Sequence, residues 1–229
     1  MRAEVTPSGR GPRRCRETPR RLIVGAVLLA AAGFAAAYTA TLTPATPQEI
    51  YLQVGVGAFT KDYNAGGQPQ INTTINTVST TLAVGVVGNG TAQAMTTDST
   101  AAVSYWDGFT FCTVPAQLYI GGFFRTTGAT TAAAQVTATV PAALTNATGN
   151  SIPFSQISWT SGGLGDTAAN GFLPEIFPSG TFVSGGVQTV GSMASNTWNE
   201  SCWTFSYANT QVAAAGTYTG AVLYTMSAP

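Results

Sequence analysis

The sequence predicts an all-β domain, either a sandwich or a barrel, and three observations lead to this prediction. Threonine, valine, tyrosine and phenylalanine, which favour strands, lie between glycine-rich turns. Hydrophobic residues make up 45% of the chain and charged residues only 8%, which excludes both a disordered chain and a long-helix protein. Beyond an N-terminal leader no segment has the period of a helix, and about eight to ten short strands are expected.

Alternating apolar residues mark the individual strands. The clearest run places Ile50, Leu52, Val54 and Val56 on one face. The same alternation predicts strands within 78–86, 118–124, 135–140, 152–159 and 182–190. The segment 118–124 is apolar on both faces, which is typical of a strand in the centre of a sheet.

The end of the chain predicts a hairpin-like closing unit. Trp203, Phe205 and Tyr207 alternate along one strand and therefore share a face. After the small residues 213–216, alternation resumes over 218–226 and predicts a second strand. The aromatic residues expected to fill much of the core are Trp203, Phe205, Phe109 and Phe111.

The first 37 residues have the pattern of a signal peptide. Seven of the nine basic residues lie within residues 1–21, and an apolar run follows from Leu22 to Ala37, ending in small residues. We expect export with cleavage before Tyr38, to a secreted, periplasmic or cell-surface location. The alternative is an uncleaved membrane anchor, for which an apolar run of about 16 residues is short.

Two regions are expected after the signal peptide. Residues 38–49 predict a flexible N-terminal arm, because Pro44 and Pro47 do not fit a central strand. Residues 50–229 are expected to form a single β-sandwich domain.

The charge of the body argues against nucleic acid as a partner. After residue 21 only Lys61 and Arg125 are basic, against seven acidic residues, although the full chain has a formal net charge of zero. A surface with so few cations cannot neutralise a run of phosphates.

Two cysteines beyond the leader, Cys112 and Cys202, predict a disulfide. An exported chain folds in an oxidising compartment, where an even number of cysteines normally pairs. Cys15 would leave with the leader. The alternative is two buried free thiols.

The sequence contains no recognisable catalytic, metal-binding or cofactor-binding constellation, and no cofactor is expected. The chain has no histidine, which removes serine–histidine and cysteine–histidine pairs and every histidine-ligated metal site. Its acidic residues are scattered singly and are expected to be solvated loop residues, so a hydrolase with two facing carboxylates is the least favoured alternative. The segment 162–166 is one residue short of a calcium-binding repeat and occurs once.

Three aromatic residues, Tyr105, Trp106 and Trp198, are candidates for a sugar-binding platform. Packing in the core or in an interface is the alternative for them. We favour it because aromatic residues beside a disulfide are usually internal.

The segment 215–226, with the sequence AGTYTGAVLYTM, resembles the closing strand of bacterial pilin-like and spore coat U-like secreted β-sandwich proteins. In those proteins a Gly-x-Tyr turn, here Gly216 to Tyr218, leads into an alternating C-terminal strand. Ala228 stands where the pilin-like subunits have an aromatic residue. The resemblance implies an immunoglobulin-like sandwich that assembles by strand exchange. The run Ile50–Val56 is then either the donated strand or the first strand of a self-contained domain.

We therefore expect an all-β, immunoglobulin-like or jelly-roll-type antiparallel β-sandwich with one disulfide, preceded by a signal-peptide helix. The expected function is that of a non-enzymatic, exported cell-surface protein, either a pilin-like structural subunit or an adhesive module. A carbohydrate-binding module is the alternative. The expected partners are further copies or other surface subunits joined by strand exchange, or glycans. No nucleic acid is expected, and a membrane is contacted only through an uncleaved leader.

Overall fold

The computed structural model describes residues 40–60, 68–104, 108–127, 132–163 and 177–229. The predicted signal peptide, residues 1–37, lies outside these ranges. Within them the chain forms strands and two short 3₁₀ turns, Val84–Val86 and Phe154–Gln156. No helix in the described ranges is long and apolar enough to cross a bilayer.

The strands of the described ranges are numbered in chain order. They are β1 (Ala40–Thr41), β2 (Glu49–Val54), β3 (Phe59–Thr60), β4 (Gln68–Pro69), β5 (Val78–Ser79), β6 (Gln93–Ala94), β7 (Thr96–Thr97), β8 (Leu118–Arg125), β9 (Ala134–Val140), β10 (Ala143–Thr145), β11 (Ser151–Pro153), β12 (Ile157–Gly162), β13 (Gly180–Thr181), β14 (Gly186–Met193), β15 (Thr197–Tyr207) and β16 (Leu223–Ser227). The all-β prediction is confirmed. The strands predicted at Ile50–Val56, 118–124 and 135–140 are present as β2, β8 and β9.

Seven strands form a large antiparallel sheet. Its order is β13-β12-β15-β8-β2, and β1 and β6 pair with the two ends of β15. Trp198 of β15 lies opposite Phe123 of β8, and Phe205 of β15 lies opposite Trp159 of β12. β15 and β8 are therefore internal strands, which confirms the central position predicted for 118–124.

A small antiparallel sheet, with the order β14-β9-β16, packs against one face of the large sheet. Side chains from both sheets meet between them and form what we call the inner core. Its buried members are Met95, Leu118, Ile120, Phe124, Ala134, Val136, Ala138, Val140, Ile152, Phe154, Ile157, Trp159, Phe177, Phe182, Val190, Met193, Trp203, Phe205, Tyr207 and Met226. The architecture is sandwich-like, since two sheets enclose one apolar layer.

The opposite face of the large sheet carries a second buried cluster, the outer core. Its members are Leu42, Tyr51, Ala101, Phe111, Cys112, Tyr119, Phe123, Trp198 and Cys202. Successive residues of a strand point to opposite faces. On β15, Trp198 and Cys202 therefore enter the outer core, whereas Trp203 and Phe205 enter the inner core.

The aromatic residues expected to share one core are separated by this arrangement. Trp203 and Phe205 are buried in the inner core, and Phe111 is buried in the outer core. Phe109 is 47% exposed, so its predicted place in the core is wrong.

The predicted closing hairpin is also wrong. β15 belongs to the large sheet, whereas β16 pairs with β9 in the small sheet, with Tyr224 opposite Ala138. Alternation identifies a strand and its two faces, but it carries no information about which strand will be the partner.

The flexible arm predicted over 38–49 is wrong for residues 40–49. β1 pairs with β15, Leu42 and Ala45 are buried, and Glu49 begins β2. Pro44 and Pro47 lie between β1 and β2. The prolines exclude a central strand there, but they do not prevent the segment from being anchored on either side.

Three other predicted strands are interrupted. Within 78–86 only Val78–Ser79 is a strand, and Val84 lies in a 3₁₀ turn with 90% of its surface exposed. Within 152–159 a 3₁₀ turn separates β11 from β12. Within 182–190 the strand begins only at Gly186.

Candidate functional site

The predicted disulfide is present and joins two buried residues of the outer core. Cys112 and Cys202 are bonded with their Cα atoms 5.5 Å apart, across a sequence separation of 90 residues. Cys202 lies within β15, and both cysteines are buried. The covalent bond therefore fixes the segment that carries Phe111 against the middle of the large sheet.

The candidate sugar platform is not assembled from the residues that were predicted for it. Trp198 is fully buried, with its ring centroid 6.1 Å from that of Tyr51 and 6.0 Å from that of Phe123. A ring enclosed in this way has no free face for a sugar, so the prediction is wrong for Trp198. Tyr105 and Trp106 lie outside the described residues, and their role stays a prediction.

Glu200 was expected to be a solvated loop acid, but it lies inside β15 and only 5% of its surface is exposed. Its Oε2 accepts hydrogen bonds from the Tyr119 hydroxyl at 2.7 Å and from Trp198 Nε1 at 3.1 Å. A carboxylate buried among aromatic rings needs such donors to replace water. In the sequence, Glu200 lies between Trp198 and Cys202. This position was the available signal that Glu200 belongs to a strand rather than to a loop.

The one basic residue of the described ranges, Arg125, also forms its contacts within the domain. Arg125, at the end of β8, pairs with Glu49 of β2 at 2.9 Å and donates from Nε to the Thr43 carbonyl at 2.7 Å. The Arg125 guanidinium lies 5.9 Å from the centre of the Phe123 ring. The ion pair therefore ties the segment before β2 to the large sheet.

Asp98 anchors a surface loop. Its Oδ1 accepts hydrogen bonds from Asn76 Nδ2 at 3.0 Å and from the Thr77 amide at 2.8 Å. The hydrogen bond from Asn76, followed by that from Thr77, lowers the pKa of Asp98 below its ordinary value. Every charged side chain in the described ranges thus has a partner within the domain. These charged residues are Glu49, Asp98, Arg125 and Glu200. No group of three metal-ligating side chains occurs in those ranges.

The outward face of the small sheet is a neutral, hydroxyl-rich surface. The pairing of β9 with its two neighbours sets side chains side by side in three rows, which are Ser192–Gln135–Ser227, Thr189–Thr137–Thr225 and Val187–Thr139–Leu223. Val187 and Leu223 are 67% and 65% exposed. The three strands contain no charged residue. Such a surface suits a neutral partner better than a charged one.

β14 is an edge strand of this sheet. It pairs with β9 on one side and has no strand on the other within the described ranges. At the opposite edge, Tyr224 of β16 is partly buried against the inner core. Its ring centroid lies 6.0 Å from that of Trp203, and burial raises the pKa of its phenol. The alternation patterns of the sequence did not identify this surface. The available signal was the absence of any charged residue from 201 to 229 and from 126 to 163.

No protein-family model, no curated protein and no solved structure matches this chain. The resemblance of its C-terminal segment to pilin-like and spore coat U-like proteins therefore remains an expectation from the sequence.

Proposed function

We propose that this chain is a non-enzymatic, exported protein of the cell surface, either a pilin-like structural subunit or an adhesive module. The observation that carries the proposal is the buried Cys112–Cys202 disulfide of the outer core. Such a bond forms and persists in an oxidising compartment, and in the chain-entropy model a closed loop of this length stabilises a domain by about 4–5 kcal/mol.

The use of charge supports the same proposal. The charged side chains of the described ranges form hydrogen bonds that hold loops and sheets in place, and the small sheet offers a broad neutral surface. This distribution suits a protein whose task is contact with other surfaces. An immunoglobulin-like or jelly-roll-type topology is part of the proposal, and the two antiparallel sheets around the inner core support it.

The strand-exchange version of the proposal has a structural condition. β2 pairs with β8 of its own chain, and β16 pairs with β9 of its own chain. Donation of Ile50–Val56 to another copy would have to replace the β2–β8 hydrogen bonds. Assembly through an edge that is free in the folded domain requires no such replacement.

Export is tested by expressing the full chain with its leader in a bacterial host and fractionating the cells. We expect the protein outside the cytoplasm, shortened by residues 1–37, with Cys112 and Cys202 disulfide-bonded by mass spectrometry. The control variant carries Leu28→Arg and Leu29→Arg, which interrupt the apolar run of the leader, and it should remain in the cytoplasm. Wild-type protein found in the cytoplasm with both thiols free would overturn the proposal.

A further inference from the structure

We propose that the outer edge of β14 pairs with the same edge of a second copy of this chain. The two strands would run antiparallel, and the two small sheets would join into one continuous sheet. This inference rests on the proposed function and deepens it, because it names the partner and the surface through which surface subunits would assemble.

The outer edge of β14 has unused backbone hydrogen-bonding capacity. In an edge strand, every second residue directs its N–H and C=O groups away from the sheet. Among the described residues, no backbone group on this side of β14 has a hydrogen-bond partner. The Gln188 side chain is in register with the buried Ala138, on the inward face, where it accepts from the Val183 amide at 3.0 Å and donates to the Thr181 carbonyl at 2.9 Å. These bonds hold the segment before β14 in place and leave the backbone of the edge available to another strand.

The composition of β14 also permits pairing with another strand. Natural edge strands are usually protected by charged side chains or proline, which prevent pairing with another chain. The sequence of β14, GVQTVGSM, contains neither. Its backbone is irregular at two places, at Gly186, which has a φ of 108°, and at the register shift between Thr189 and Gly191 in the pairing with β9. We therefore place the contact on the segment between them, Val187–Thr189.

Symmetry and charge favour a second copy of this chain over a foreign chain. An antiparallel pairing of two identical strands has two-fold symmetry, so each copy supplies the same surface and receives the same surface. Residues directly opposite each other must share a face, so Val187 of one copy meets Val187 or Thr189 of the other. These side chains are neutral, as is the rest of the small sheet, so two copies meet there without repulsion between like charges.

The test compares two matched double variants of the full chain, produced with its leader and purified from the fraction in which it is recovered. Val187→Lys with Thr189→Lys adds two charges to the open edge. Leu223→Lys with Thr225→Lys adds the same charges on β16, in the same two rows of the same face. Circular dichroism and the mass of the oxidised protein confirm that each variant is folded.

Sedimentation velocity is measured from micromolar to near-millimolar concentration. We expect wild-type protein and the β16 variant to form a concentration-dependent dimer, and the β14 variant to associate at least about tenfold more weakly, because like charges are brought together in the interface. A wild-type protein that stays monomeric throughout would overturn the inference. So would a dimer that is lost equally in both variants or only in the β16 variant, and so would a complex that forms only with a foreign protein.

Hydrogen exchange on the unmodified protein gives an independent readout. Amides of β14 should become more protected as the protein concentration rises, whereas those of β16 should not change. Protection that is independent of concentration would contradict the inference even if a lysine variant failed to fold. Cell fractionation separates the two proposals. An exported monomer overturns the β14 contact alone, and a cytoplasmic dimer overturns the proposed function alone.

Discussion

Asn209 organises a turn from the inside, although nothing in its sequence context draws attention to it. The side chain is fully buried, and the backbone has a φ of 55°, a left-handed conformation that asparagine tolerates better than most residues. Its Nδ2 donates to the Val86 carbonyl at 2.8 Å and to Asn89 Oδ1 at 3.0 Å, and its Oδ1 accepts from the Gly88 amide at 2.8 Å. One amide group therefore satisfies a turn that lies far away in the sequence.

Removal of this amide should be costly. We expect Asn209→Gly to lower the free energy of unfolding by about 2–3 kcal/mol, because buried backbone groups lose their partners. Glycine adopts a positive φ without strain, so this variant isolates the hydrogen bonds from the backbone conformation. Urea denaturation measures the effect. The control is Asn150→Ala, since the exposed Asn150 side chain donates, among the described residues, to the Thr148 hydroxyl alone, at 2.8 Å. Equal stability of Asn209→Gly and wild type would contradict this account.

Asp98 should make its loop sensitive to acid. Its pKa is lowered in the folded protein by hydrogen bonds from Asn76 and Thr77. The stabilisation is therefore complete above the ordinary aspartate pKa, and it is lost as the pH falls through the lowered folded value. We expect hydrogen exchange at the Thr77 amide, corrected for the intrinsic pH dependence of exchange, to become faster as the pH falls through that range.

The matched variant for Asp98 is Asp98→Asn, which retains an acceptor oxygen but does not titrate. In this variant the corrected exchange of Thr77 should depend much less on pH over the same range. If both proteins show the same dependence, another group controls the loop.

The contact between β2 and β8 depends on the absence of a side chain at one position. Gly122 lies opposite Leu52, and a Cβ atom on Gly122 would overlap the Tyr51 carbonyl oxygen. We expect Gly122→Ala to reduce the free energy of unfolding by about 1–3 kcal/mol, because backbone atoms must move apart to accept the methyl group. Thermal and urea denaturation measure the change.

Gly162 provides the control for this prediction. It lies in β12 of the same sheet, opposite Cys202, and a Cβ atom there would meet nothing within 4 Å. Gly162→Ala should therefore leave stability within about 0.5 kcal/mol of wild type. Equal destabilisation by the two alanines would show that neither depends on the approach of Tyr51.

The strands that the sequence predicts well are those in which burial alone sets the pattern. β9 alternates because one face meets the inner core, and β8 has no charged residue from Leu118 to Phe124 because both of its faces meet a core. Alternation fails at Val84, which belongs to a 3₁₀ turn in which no residue is buried. Alternation also does not indicate which strands pair. For this reason β16 was predicted to pair with β15, although its partner is β9. Pairing depends on contacts that are distant in sequence.

The candidate site was predictable only in part for the same reason. The Cys112–Cys202 bond followed from the number of cysteines and the expected compartment. Trp198 and Glu200 are buried because other segments of the chain pack over this face of the large sheet. A local sequence pattern does not reveal which segments will do so. The open edge of β14 became visible only when the order of the small sheet was known.

The domain has two cores, and both depend on the same two strands. β8 and β15 each present one face to the inner core and the other face to the outer core. On β8, Phe123 belongs to the outer core, and its neighbour Phe124 belongs to the inner core. Loosening of either core therefore disturbs strands that the other core needs. We infer that the two cores unfold together, in one cooperative transition.

This inference can be tested with fluorine-labelled tryptophan. Trp198 reports on the outer core, and Trp159 and Trp203 report on the inner core. Their ¹⁹F resonances are assigned by single substitutions with phenylalanine and followed through urea denaturation. Phe123→Leu should weaken the outer core and Phe205→Leu the inner core, each by about 1–3 kcal/mol. Because β8 and β15 connect the cores, each variant should shift the midpoints of all three resonances by the same amount. A Phe123→Leu protein in which Trp198 unfolds at lower urea than Trp203 would show instead that the outer core is a separate folding unit, held to the sandwich mainly by its disulfide.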